Sequence, residues 1–79
     1  MKISDYINAE IEKAEQDDDV HVPDVLRGIA DKVTQQYGHK CAFEYVGGFD
    51  SPGYDIDHYA FAYVEDGEVA ITSYSYESY

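Results

Sequence analysis

The sequence has no tryptophan, a single cysteine and only five lysine or arginine residues among its 79. Because Cys41 is alone, no disulfide can form within the chain, which fits a reducing compartment. No stretch approaches the roughly 20 apolar residues that a membrane-spanning helix needs. The first residues, 1–5, also lack the apolar run of a secretory signal peptide. We therefore expect a cytoplasmic protein.

Acidic residues are what the sequence has in excess. Seventeen Asp or Glu side chains give a formal net charge of −12, while 44% hydrophobic content argues against a disordered acidic tail. A chain of this length has room for one domain, residues 1–79. Its field repels nucleic acid and anionic lipid and attracts a basic partner, and self-repulsion favours a monomer.

The first half of the chain predicts two helices. Apolar residues recur at spacings of three and four in two segments: Ile3, Ile7, Ile11 and Ala14, then Val22, Leu26, Ile29, Val33 and Tyr37. Ser4 is the predicted N-cap of the first helix, and Gly38 the residue that ends the second. Gly28 lies inside the second helix and suggests a close approach to the other helix or to the sheet.

After residue 38 the apolar period changes to two, which indicates strands at 40–46, 57–64 and 68–76. The glycine-rich stretch 47–53 reads as a loop. Asp66-Gly67 is a strong two-residue hairpin turn. The predicted fold class is therefore α+β, with two N-terminal helices packed on one face of a three-stranded antiparallel sheet (ααβββ).

The Asp66-Gly67 turn predicts the pairing of the last two strands. It places Glu65 opposite Glu68, Val64 opposite Val69 and Ala62 opposite Ile71. One face of the sheet then holds small and aliphatic residues: Ala60, Ala62, Val64, Val69 and Ile71. The other face holds mostly aromatic residues: Tyr59, Phe61, Tyr63, Thr72, Tyr74 and Tyr76. We expect the helices on the aliphatic face, because small residues let helices pack closely. The alternative, with the helices on the aromatic face, would bury more area per residue.

Negative charge is concentrated in the second half of the chain. Residues 1–38 carry nine acids and four bases, whereas residues 39–79 carry eight acids and one base, Lys40. Same-face strand carboxylates, about 6.6–6.8 Å apart, approximate the rows of phosphates on a duplex without matching their density. One interpretation is a DNA mimic that occupies a basic channel. The other is a solvated face that only keeps the protein in solution. The predicted partner-binding residues are Asp50, Tyr54, Asp55, Asp57, Tyr59, Glu65, Asp66 and Glu68.

No motif predicts catalysis or a cofactor. The run 55–58 has two aspartates and a histidine, but strand alternation places the aspartates on one face and the histidine on the other, so no metal site is predicted. Cys41 with His39 or His58 has the residue types of a nucleophile and a base, yet nothing in the sequence brings them together. We expect a protein without catalytic residues.

The length, the charge, the order of two helices before three strands, and the acidic, tyrosine-rich second half resemble those of the small inhibitors that phages direct against bacterial CRISPR systems. The chain is similar to anti-CRISPR proteins, in particular the type I-C group. The resemblance covers the whole chain and assigns no residue, since these proteins share no motif. It implies a noncatalytic protein that binds a CRISPR surveillance complex in the host cytoplasm. There it would cover a basic surface, such as that of the PAM-reading large subunit, and block recognition of target DNA.

Three other functions stay open on the sequence. An antidote or immunity protein that neutralises a basic nuclease toxin would also bind its partner through an acidic surface. An acidic interaction module needs no nucleic-acid competitor at all. An enzyme would lose its turnover on substitution of Cys41 or His58.

Overall fold

Two helices precede a three-stranded antiparallel sheet, which confirms the predicted fold class. The computed structural model describes residues 2–78, apart from the side chains of residues 49–51. The elements are α1 (Ile3–Glu15), α2 (Val22–Tyr37), β1 (Ala42–Ser51), β2 (Tyr54–Glu65) and β3 (Glu68–Ser78). The strand order is β1-β2-β3, so β2 is central and the other two strands are edges.

Both helices bury the predicted apolar stripes. Ile7, Leu26 and Val33 are fully buried and form the centre of the core. Gly38 ends α2 in the left-handed conformation, with φ of 71° and its N–H donated to the carbonyl of Thr34. A glycine adopts this conformation without the steric cost that a Cβ would bring, so its position is the predicted one.

The predicted start of α1 is wrong. The helix begins at Ile3, so Ser4 lies inside it, and Lys2 occupies the cap position without a side-chain hydrogen bond. The N–H of Ile3 instead donates a hydrogen bond to the carboxylate of Glu65. An acceptor remote in the sequence therefore satisfies one of the free N–H groups that a local cap would otherwise take.

The hairpin between β2 and β3 has the predicted register. Glu65 pairs with Glu68, and the pairing continues without a shift to Asp55 and Ser78. Asp66 and Gly67 both have positive φ, 55° and 78°. This is the backbone that a two-residue turn needs to match the twist of its strands.

The predicted loop 47–53 is wrong for most of its length. Strand β1 begins at Ala42 and continues through the glycines to Ser51, so that only residues 52–53 form the turn to β2. A β-bulge between Tyr45 and Gly47 shifts the register. Pairing with β2 therefore overrides the local preference of a glycine-rich segment for a loop.

The helices pack on the aromatic face of the sheet, and the prediction of the aliphatic face is wrong. Phe61 and Tyr63 are 0% and 3% exposed, and the Tyr63 hydroxyl lies 2.6 Å from Thr72 Oγ1. Burying two large rings removes more apolar surface from water than burying alanines does, and the phenol finds a partner. The opposite side, the open face, includes Ala42, Ala60, Ala62, Val64, Val69 and Ile71.

Gly28 does not mark a close approach between elements. A Cβ built there meets nothing within 4 Å, and the residue is exposed. No helix in the described part of the chain has the length and apolar composition to cross a membrane.

The sheet is longer than the helices that cover it. The molecule measures 42 × 25 × 16 Å. The 12 residues of β2 span about 40 Å, whereas the 16 residues of α2 span about 24 Å. The β1–β2 turn therefore projects beyond the helical layer.

Candidate partner-binding surface

The acidic side chains lie at the surface with little internal neutralisation. No charged side chain is buried in the described part of the chain. One ion pair joins described residues, between Lys32 Nζ and Glu10 Oε2 at 3.5 Å. The sequence from residue 41 to residue 79 holds no lysine or arginine. The negative field of the sheet therefore extends into solvent, where it attracts cationic surfaces.

The predicted binding residues form two groups at opposite ends of β2. The first-hairpin group, near the β1–β2 turn, is Tyr54, Asp55, Asp57 and Tyr59; the second-hairpin group, near the β2–β3 turn, is Glu65, Asp66 and Glu68. Asp57 and Glu65 are separated by roughly 26 Å along the strand. The structure thus divides the predicted residues between two sites. The remaining one, Asp50, pairs with Asp55 through the backbone, and its side chain lies outside the described residues.

An aromatic cluster supports the first-hairpin group. The Tyr45 hydroxyl donates a hydrogen bond of 3.0 Å to Asp57 Oδ1. The ring of Tyr59 lies 5.4 Å from that of Tyr45 and stacks on Phe43 with centroids 5.8 Å apart. Both atoms of this hydrogen bond lie close to Gly48. A Cβ at that position would be 2.7 Å from Tyr45 Oη and 2.8 Å from Asp57 Oδ1. The glycine therefore lets the tyrosine and the carboxylate meet above the strand.

Two phenols of this region, those of Tyr59 and Tyr74, have a pKa above the ordinary tyrosine value and remain protonated at neutral pH. Burial raises the pKa of Tyr59, and the carboxylates of Asp57 and Asp24 raise this pKa further. Burial also raises the pKa of Tyr74, with a contribution from Glu15. A protonated phenol beside carboxylates offers a partner one hydrogen-bond donor within an acceptor-rich surface.

The three residues of the second-hairpin group differ in their exposure. Glu65 is half-buried, and its carboxylate accepts the hydrogen bond from the N–H of Ile3, so it helps to hold α1 on the sheet. Asp66 and Glu68 are exposed at the turn. These two residues are better placed than Glu65 to contact a partner.

Several residues near the first-hairpin group were not selected from the sequence. Tyr45 is 57% exposed and bonds Asp57. His21 and Tyr76 pack edge to face with centroids 5.1 Å apart. Strand alternation in residues 40–46 puts Tyr45 on the same face as Phe43, so the sequence held a signal for an aromatic cluster there. The contact between His21 and Tyr76 joins residues 55 positions apart, and no sequence pattern indicated it.

A shallow groove of about 480 Å³ lies between the end of α1 and the end of β3. Its walls combine four carboxylates with two tyrosines: Glu15, Asp17, Asp18, Glu77, Tyr74 and Tyr76. Carboxylates and aromatic faces are the groups that bind a guanidinium or an ammonium. The groove thus has the chemistry to accept a basic side chain.

The residues considered for metal binding and nucleophilic catalysis have other contacts or are buried. His58 Nδ1 lies 2.8 Å from Ser75 Oγ, while Asp57 bonds Tyr45. Among the side chains that the structure describes, no group of three or more from His, Cys, Asp and Glu is arranged to hold a metal ion. Cys41 is buried, and burial raises the pKa of its thiol, which disfavours the reactive thiolate.

Comparison with protein-family models, with curated proteins and with solved structures finds no match to this chain.

Proposed function

We propose that the protein is a noncatalytic inhibitor that binds the basic DNA-binding surface of a CRISPR surveillance complex, such as its PAM-reading large subunit. By occupying that surface in the bacterial cytoplasm as a monomer, it prevents recognition of target double-stranded DNA. This is the function expected of a protein that resembles the anti-CRISPR inhibitors.

One observation carries the proposal: acidic groups lie at both ends of a narrow body, and the sheet between them has no lysine or arginine. The body is 42 Å long. A duplex segment of that length carries about 25 phosphate charges, against a net charge of −12 for the whole protein. The protein therefore presents about half the charge of the DNA it would displace, over a similar length.

Short-range contacts would then set the orientation of the complex. Tyr45, Tyr59 and Asp57 supply aromatic faces and a carboxylate at the first hairpin. Arginine and lysine side chains of a DNA-binding channel can stack on these rings and pair with the carboxylate. Long-range attraction sets the association rate, and these contacts set the dissociation rate.

The test is competition for a target duplex on a purified type I-C surveillance complex. Two charge-reversal variants probe the two ends of the sheet, Asp55→Lys/Asp57→Lys and Asp66→Lys/Glu68→Lys. Glu12→Lys/Asp31→Lys is the matched control, because it changes the net charge equally at exposed helical positions. We expect each end variant to compete at least about tenfold less well than the control, a difference of about 1.4 kcal/mol.

Comparison of the three variants distinguishes an effect of where the charge lies from an effect of net charge. Equal losses in all three variants would mean that only total charge matters and that neither end is the site. If the wild type leaves DNA binding unchanged at low and high salt, the proposed function is wrong. A basic nuclease toxin would then be the partner to test.

A further inference from the structure

The open face of the sheet exposes an apolar surface that the core does not use. Val69 is 77% exposed, Ile71 67% and Val64 44%. The register places Val64 beside Val69 and Ala62 beside Ile71, so these side chains form one continuous patch. No helix of residues 2–78 packs on this side of the sheet, since both helices contact the aromatic side. Contiguous exposed apolar surface of this kind marks interaction sites.

The patch is flat and narrow. Its flanking residues are alanines, Ala42 and Ala60 with Ala62, whose short side chains leave no ridge. Three strands spaced about 4.8 Å apart give a width of about 14 Å. An α-helix is about 10–12 Å across. The open face therefore accommodates one helix lying along it.

A second copy of this chain is a poor occupant. The apolar part of the face covers about 300 Å² by strand spacing, whereas a stable interface buries about 800 Å² on each partner. Pairing two copies would also bring together two chains that each carry a net charge of −12. The area is too small to offset that repulsion.

Charge selects the chemistry of the occupant. Glu44 shares the open face beside Ala60, and Asp66 lies at its other end in the β2–β3 turn. Both carboxylates are exposed. An apolar strip bordered by carboxylates complements an apolar strip bordered by lysine or arginine.

We propose that the open face binds an amphipathic helix whose apolar stripe is flanked by basic residues, presented by the partner protein. Val69 and Ile71 contact the stripe, and the bordering carboxylates pair with the basic flanks. This contact adds to the proposed function a surface on the other side of the sheet from the tyrosine cluster. The open-face proposal can be wrong while the proposed inhibition of DNA recognition is right.

The probe is a synthetic helical peptide of leucine and lysine, roughly 18 residues and about 27 Å long, with one apolar face. A scrambled isomer of the same composition is its control. Binding is followed by NMR at about 0.15 M and about 1 M salt, where the Debye length falls from about 8 Å to about 3 Å. We expect the amphipathic peptide to shift the methyl resonances of Val64, Val69 and Ile71 at both salts, and the isomer to lose binding at high salt.

Substitution on the open face decides the assignment. Val69→Thr/Ile71→Thr keeps residues that favour strands and should weaken binding of the amphipathic peptide at least about tenfold. Glu12→Lys/Asp31→Lys, which alters only charge on the helices, should leave the Val69 and Ile71 shifts in place. Equal shifts with both peptides, or shifts confined to the helices, would overturn the proposal.

Sedimentation of the free protein tests the competing occupant. If the wild type were a dimer that Val69→Thr/Ile71→Thr dissociates, a second copy would cover the open face and the proposal would be wrong. The peptide titration uses no CRISPR complex. Its outcome is therefore independent of the DNA-competition assay.

Discussion

At the scale of single residues, Gly48 controls how the exposed tyrosine and carboxylate of the first hairpin meet. Its missing Cβ leaves room for the Tyr45 hydroxyl, which would otherwise lie 2.7 Å away, and for Asp57 Oδ1 at 2.8 Å. Both atoms are the ends of side chains. An added methyl group would therefore move the side chains before it moved the strand.

We expect Gly48→Ala to break the hydrogen bond between Tyr45 and Asp57. The ring resonances of Tyr45 and Tyr59 should shift in NMR spectra. The free energy of unfolding in urea should change by less than about 1 kcal/mol, because the lost hydrogen bond is exposed. Tyr45→Phe is the control, since it removes the same bond without adding an atom near Gly48. Unchanged Tyr45 resonances in Gly48→Ala would contradict the role given to this glycine.

At the scale of elements, α1 is tied to the sheet by a carboxylate that comes from the β2–β3 hairpin. Glu65 accepts a hydrogen bond from the N–H of Ile3, 62 positions away. Its negative charge also sits at the end of the helix where the dipole is positive. The residue therefore stabilises the packing of two elements that are far apart in the sequence.

Glu65→Ala should lower the free energy of unfolding by about 1 kcal/mol, the usual cost of losing a helix cap. The measurement is urea denaturation followed by circular dichroism. Glu68→Ala is the matched control, because it removes the same charge from the opposite position of the hairpin. Equal stability of the two variants would show that the cap contributes nothing.

The elements also indicate what the sequence could predict. The two-residue turn at Asp66-Gly67 specifies which residues oppose each other, so the β2–β3 register was predictable from local chemistry. The path of β1 through Gly47 and Gly48 was not, because pairing with β2 decides it. The choice of buried face was missed for a similar reason. It depends on the total area that Phe61 and Tyr63 bury, which no local pattern reports.

At the scale of the whole molecule, one sign of charge is spread over a thin, elongated body. Six of the eight predicted binding residues are acidic, and charge alone does not report position. The structure places Asp57 and Glu65 near opposite ends and gives Glu65 a structural contact. The acidic character of the surface was therefore predictable, whereas its division into two sites was not.

Self-repulsion on such a body should make stability depend on salt. Raising sodium chloride from about 0.01 M to about 0.15 M shortens the Debye length from about 30 Å to about 8 Å, which is less than the molecular length of 42 Å. We expect the thermal midpoint to rise by about 4–8 °C, equivalent to about 1 kcal/mol for a domain of this size. Glu12→Lys/Asp31→Lys should respond less, because it carries less net charge. A midpoint that falls with salt would show that attractive pairs dominate.

The two edge strands have a consequence for the behaviour of the protein in concentrated solution. A bulge interrupts β1, but β3 pairs with β2 without a shift and contains no lysine or proline, the features that usually block edge-to-edge pairing. Net charge is then the main barrier to polymerisation through β3. Near the isoelectric point of about 4.2 that barrier vanishes, and the chain becomes a candidate for ordered aggregation. The acidity that suits the protein to a basic partner also keeps it from assembling with itself.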